Sequence, residues 1–149
     1  MIAALDGLFI GENFSAAQSI LGKPQAAVFR QLPAYQWKQT SGLVITVLTA
    51  KDGSITLVDE SAAAADQPTG IAEEDSRFSG LMFNAGNHAS LALEAPATDC
   101  KSSFGSQCFE YHYDRNVVMR ADFAASGSAD GILREVTLAP QSLLQELQF

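Results

Sequence analysis

The tetrapeptide Leu21-Gly22-Lys23-Pro24 is answered further along by Leu93-Glu94-Ala95-Pro96, and each closes a short stretch with helical patterning. A duplicated unit narrows the available folds, because each copy must bury its apolar face either alone or against its twin. In the first copy, Ser15-Ala16-Ala17-Gln18 has the spacing of a capping box. Ala17, Ile20 and Leu21 share one helical face, and Gly22 followed by Pro24 stops the helix. The second copy offers Asn87 as a cap, with Ala89, Leu91, Ala92 and Leu93 behind it.

A hairpin signal follows each proline. Tyr35-Gln36-Trp37-Lys38-Gln39 and Leu43-Val44-Ile45-Thr46-Val47 flank Thr40-Ser41-Gly42, a loop whose last residue tolerates the left-handed conformation. That register sets Tyr35 against Val47, Trp37 against Ile45 and Gln39 against Leu43. In the second copy Asp114-Arg115-Asn116 serves as the loop, which sets Phe109 against Ala121, Tyr111 against Met119 and Tyr113 against Val117. Both hairpins then pair aromatic with aliphatic side chains on one face, a contact that contributes roughly 0.2–1 kcal/mol per pair. Glu110 pairs with Arg120 on the other. A two-residue loop would set Tyr111 against Arg120 and Phe109 against Asp122, which breaks the pattern.

A further strand closes each copy, Ser54 to Val58 after Asp52-Gly53 and Ile132 to Leu138 after Asp130-Gly131. The expected organisation is a first repeat over 7–60, an acidic linker over 61–77, a second repeat over 78–139, and a tail over 140–149. In the tail Leu143, Leu144 and Leu147 have helical spacing behind Pro140.

Helix, Leu-Gly-x-Pro, aromatic hairpin and second hairpin, taken twice, resemble the tandem-repeat β-lactamase inhibitory proteins (BLIP) and the related BamE (SmpA/OmlA) envelope modules. The resemblance rests on Ile10-Gly11, Leu21-Gly22-Lys23-Pro24, Tyr35-Gln36-Trp37 and Asp52-Gly53, and it covers the first repeat better than the second. It implies an α+β fold of two tandem helix-plus-antiparallel-sheet repeats forming one compact chain, with a protein as partner. Inhibitors of this family lay a sheet over the target enzyme and insert an acidic hairpin-loop residue. Thr40-Ser41-Gly42 has no acid, and Asp114 supplies one at the second hairpin.

Charge and cysteines bound the setting. A net charge of −8 repels phosphate backbones and anionic lipid, and no Lys/Arg cluster interrupts it, so nucleic acid and membrane surfaces are poor partners. The apolar run Leu43 to Leu48 is far short of the roughly 20 residues that cross a bilayer, so no direct membrane insertion is expected. Met1 to Asp6 has neither the basic region nor the apolar length of a signal peptide, which implies a cytosolic protein or a removed leader. Cys100 and Cys108 fit neither redox nor zinc spacing but can close on each other around Lys-Ser-Ser-Phe-Gly-Ser-Gln. That loop closure is worth about 2.5 kcal/mol, and such a bond implies an oxidising compartment, periplasmic or secreted.

Catalytic constellations are thin. Glu110, His112 and Asp114 alternate along one strand face, but same-face neighbours on a strand lie nearly 7 Å apart, so one strand does not converge three ligands on an ion. His88 falls at a helix start, where capping or surface roles are ordinary. Cys108 and His112 share a face but stand well apart, and no Gly-x-Ser-x-Gly elbow or phosphate-cradling loop occurs. The sequence therefore implies no catalytic residue, no metal and no cofactor. Two readings of Tyr35, Trp37, Phe109, Tyr111 and Tyr113 stay open, a core covered by helices or an exposed platform. Under the first, Lys38, Glu110, His112, Arg120 and Arg134, with Asp114 at the turn, form a binding surface. The function expected is a non-enzymatic interaction or assembly module; the alternatives are an inhibitor of a secreted hydrolase such as a β-lactamase, and a small hydrolase using His112.

Overall fold

Period-two alternation of apolar and polar residues suits a strand with one buried face, and it dominates the segments that form the body of this molecule. The computed structural model describes residues 4–39, 43–62, 97–101, 107–123 and 133–149. Strands β1 (Gln25–Phe29), β2 (Leu32–Lys38), β3 (Leu43–Thr49) and β4 (Ile55–Ala62) form one meander, and β5 (Ala97–Lys101), β6 (Gln107–His112), β7 (Val117–Phe123) and β8 (Leu133–Pro140) form another. They join into one eight-stranded antiparallel sheet in the order β1-β2-β3-β4-β8-β7-β6-β5.

The expected pair of tandem helix-plus-sheet repeats is therefore corrected to a single sheet. Each meander ends on a strand, β4 or β8, that would expose a row of unpaired N–H and C=O groups, and pairing Val58 with Leu138 through to Ser61 with Glu135 satisfies both rows. The two described α-helices do not repeat as units either. Helix α1 (Phe14–Leu21) precedes β1 and packs on one sheet face, while α2 (Gln141–Glu146) follows β8 and packs on the other. The second-copy helix behind Asn87, with His88, the loop Thr40-Ser41-Gly42 and the turn Asp130-Gly131 lie outside the described residues.

Both hairpin registers form as read. Tyr35 faces Val47 and Trp37 faces Ile45; Phe109 faces Ala121, Glu110 faces Arg120 and Tyr111 faces Met119. Tyr113 N–H donates to Val117 O at 2.9 Å, and Arg115 and Asn116 in the intervening turn both have positive φ. Of the two readings of the aromatics, core burial holds for Trp37, Phe109 and Tyr111, which pack with Ile45, Val47, Val58, Met119 and Leu138. Tyr35 sits at the rim with its ring 4.3 Å from that of Phe14 in α1. The cap of α1 is Asn13 rather than Ser15, because Asn13 has extended backbone and its side chain accepts from Ser15 N–H at 2.9 Å. Gly22 ends the helix at φ 86°, ψ −155°, and the Trp37 indole N–H donates to its carbonyl. The acidic stretch after Val58 starts inside the sheet, since β4 runs on to Ala62.

Candidate functional site

Gln25, Gln36, Thr46, Asp59, Thr137, Arg120, Glu110 and Thr98 are successive register partners across all eight strands. They form a polar row on the face that α2 covers. Gln36 Nε2 donates to Thr46 Oγ1 at 3.1 Å, and Thr137 Oγ1 donates to Asp59 Oδ1 at 2.7 Å. The neighbouring row carries Ser61, Glu135, Asp122, Cys108 and Cys100, with Asp122 Oδ2 accepting from Arg120 Nε at 3.3 Å.

Asp59 and Glu135 share a hydrogen bond. Burial, reinforced by the Glu135 charge, raises the Asp59 carboxyl well above its ordinary value, against the opposing pull of Thr137 and Arg30. Burial also raises Glu135, with repulsion from Asp122 adding to it and the hydrogen bond to Asp59, Arg30 and Arg120 opposing. Such a pair holds a proton between its two carboxyls. Asp59 is 1% exposed while Glu135 is half-buried, so the Asp59 carboxyl belongs to the interior and the pair reaches solvent through Glu135.

The residues read as a binding surface do not converge. Lys38 is exposed at the end of β2, while Glu110 and His112 lie on β6, five strands away and hence roughly 24 Å across the sheet. Arg120 is buried and engaged with Asp122. Its guanidinium also lies 5.4 Å from the Phe149 ring. Asp114 is exposed in the turn before β7, and Arg134 belongs to β8 with its side chain outside the described residues. Glu110 and His112 do come together: His112 Nε2 is 4.0 Å from Glu110 Oε1 and 3.1 Å from Thr98 Oγ1. Among the described residues no group of three or more His, Cys, Asp or Glu is placed to hold a metal. Cys100 and Cys108 face each other on β5 and β6 and are disulfide-bonded.

Strand β1 was not evident in the sequence. Arg30 and Gln31, both at positive φ, make a two-residue turn, so the closing pair Phe29–Leu32 is hydrogen-bonded and alternate pairs inward share that pattern. Ala27–Ala34 and Gln25–Gln36 then carry the ladder, whereas Ala26 and Val28 turn their N–H and C=O outward. Pro33, which has no N–H, stands opposite Val28 as this alternation requires. Among the described residues β1 pairs only with β2, and Val28 is 71% exposed. Beside the edge, an apolar groove of about 550 Å³ is lined by residues that include Ala27, Leu32, Ala34, Leu48 and Leu143.

No family model and no curated protein matches the sequence. Two solved structures share the fold. One is a cysteine-rich secretory protein of Staphylococcus aureus, 14% identical with a TM-score of 0.51; the match covers 96% of this chain and 48% of that one. This chain thus spans about half the length of that protein. The other is a DUF4309 family protein of Bacillus subtilis, 12% identical with a TM-score of 0.51, covering 94% of this chain and 88% of that one. Neither is an inhibitor of the BLIP type or a BamE module. No helix among the described residues is long and apolar enough to cross a membrane.

Proposed function

We propose that the chain is a non-enzymatic protein-binding module, periplasmic or secreted, that accepts an extended segment of its partner as an added strand on β1. The observation that carries this reading is the outward-facing N–H and C=O of Ala26 and Val28 on a strand that pairs on one side alone among the described residues. Natural edges are blunted by charges, proline or bulges, and Gln25–Phe29 contains none of these. The opposite edge, β5, contrasts with it, carrying Asp99, Lys101 and a disulfide. Main-chain bonds to such an edge supply affinity, and alternate side chains supply selectivity. The disulfide supports the compartment, since such bonds persist in oxidising surroundings.

Selection of a random peptide library on the immobilised protein tests the proposal. Peptides with alternating apolar patterning should be enriched and should lose binding to a Val28→Pro variant, which deletes an outward N–H and leaves the β1–β2 ladder intact. No enrichment, or enrichment of peptides indifferent to Val28→Pro, would overturn it.

A further inference from the structure

Between Glu12 and Asp52 the chain has no acidic residue, yet Lys23, Arg30, Lys38 and Lys51 all fall there. This run carries +4 in a chain of net −8, which leaves −12 for the remainder. All four cations are exposed, and the topology places three of them, Lys23, Arg30 and Lys38, beside β1. Lys23 precedes β1 on the end of the sheet where Lys38 closes β2, while Arg30 follows β1 on the end where Lys51 sits in the β3–β4 turn. The free edge is thus bracketed by positive charge at both ends, roughly 20 Å apart.

We infer that the strand added to β1 is an extended segment of another protein, with carboxylates flanking a core that bears one large apolar side chain. This rests on the strand-addition reading above. Ala27, the β1 side chain on the face of Ala34 and Leu48, is small, so a bulky residue of the incoming strand can lie over it at the mouth of the groove. Flanking carboxylates then meet Lys23 and Lys38 at one end and, at the other, Arg30, whose guanidinium also donates to the Leu147 and Gln148 carbonyls. A second copy of this chain fits poorly. Antiparallel pairing of β1 with itself, Ala26 opposite Val28, would set Lys23 within one position of Arg30 of the other copy twice over, and like charges so close oppose association.

Two fluorescent peptides of roughly nine residues distinguish the outcomes. Both have an alternating Val/Thr core with a central Phe; one is flanked by paired glutamates and the other by paired lysines. By anisotropy in about 0.1 M salt, the glutamate peptide should bind about tenfold more tightly. That preference should collapse in about 1 M salt, where the screening length falls from roughly 10 to 3 Å. Lys23→Glu with Lys38→Glu should reverse it. Val28→Pro should abolish binding of either peptide while the far-UV spectrum and melting temperature stay those of the parent; Ala26→Pro, which deletes the other outward N–H, repeats the test if that variant does not fold. Equal binding of both peptides, lost with Val28→Pro, would overturn the acidic partner and leave strand addition standing. Binding of neither, or binding unaffected by both proline variants, would overturn both. A dimer in sedimentation equilibrium that Val28→Pro dissolves would make a second copy the occupant and overturn the proposed partner.

Discussion

The indole N–H of Trp37 donates to the carbonyl of Gly22 at 2.9 Å, tying the first hairpin to the residue that ends α1. A helix end leaves carbonyls without intrahelical partners, and here a core side chain of the sheet reaches the chain just past that end. Trp37→Phe keeps most of the apolar contact but leaves the Gly22 carbonyl without this donor. The expected loss is about 1–3 kcal/mol, seen calorimetrically as a melting temperature lower by roughly 3–10 °C.

Gly22 itself occupies φ 86°, ψ −155°, a region open to glycine and strained for every other residue. A Cβ added there would meet no atom within 4 Å, so the penalty of Gly22→Ala is conformational rather than steric. Urea unfolding should show a lower midpoint worth about 1–3 kcal/mol with an unchanged slope. An unchanged midpoint would mean that the turn relaxes into another conformation.

Both aromatic hairpins were legible in the sequence because register is fixed by alternation and turn length together. Trp37 opposite Ile45 and Tyr111 opposite Met119 follow from counting residues around the loop. The sheet they build was not legible, since the pairing of Asp59 with Thr137 joins residues 78 apart and no local pattern encodes it. The polar row was readable only in part: Glu110 against Arg120 is a hairpin pair, but Asp59 falls just past the strand read over Ser54 to Val58, and its partner appears only when β8 lies beside it. Strand β1 escaped for another reason. Its turn is Arg30-Gln31, neither Gly nor Asn, although both residues have positive φ. The cations beside the edge, Lys23, Arg30 and Lys38, are too dispersed to stand out as a cluster, and only the absence of acids between Glu12 and Asp52 marks them.

The disulfide closes Cys100 to Cys108 across directly opposed positions on β5 and β6, with Cα atoms 5.0 Å apart. Among the described residues β5 has β6 as its one sheet neighbour, so the bond fastens an edge that there rests on a single ladder. Replacing both cysteines by serine should lower stability by about 2.5 kcal/mol. Hydrogen exchange should locate the loss, with β5 and β6 amides losing protection while those of β3 and β4 exchange as before. Uniform deprotection across the sheet would show instead that the bond holds the whole fold together.

Asp59 and Glu135 set the pH dependence. Both carboxyls are raised in the folded protein, Asp59 strongly, chiefly by burial, whereas in the unfolded chain each titrates near pH 4. Between that value and the raised folded one, the folded state binds more protons than the unfolded state, so stability falls as pH increases. The contribution is complete in acid below about pH 4 and is lost as the pair ionises. Asp59→Asn removes the carboxyl that burial disfavours in charged form. The amide oxygen can still accept from Thr137 Oγ1, and its NH₂ can donate to Glu135. At neutral pH this variant should be more stable than the parent by on the order of 1–3 kcal/mol, the scale of a poorly compensated buried polar group, and the gain should vanish toward pH 4. Chemical denaturation of both proteins across that range measures it. A gain of equal size at pH 4 and pH 7 would show that the substitution acts through packing and that the pair does not hold the proton assigned to it.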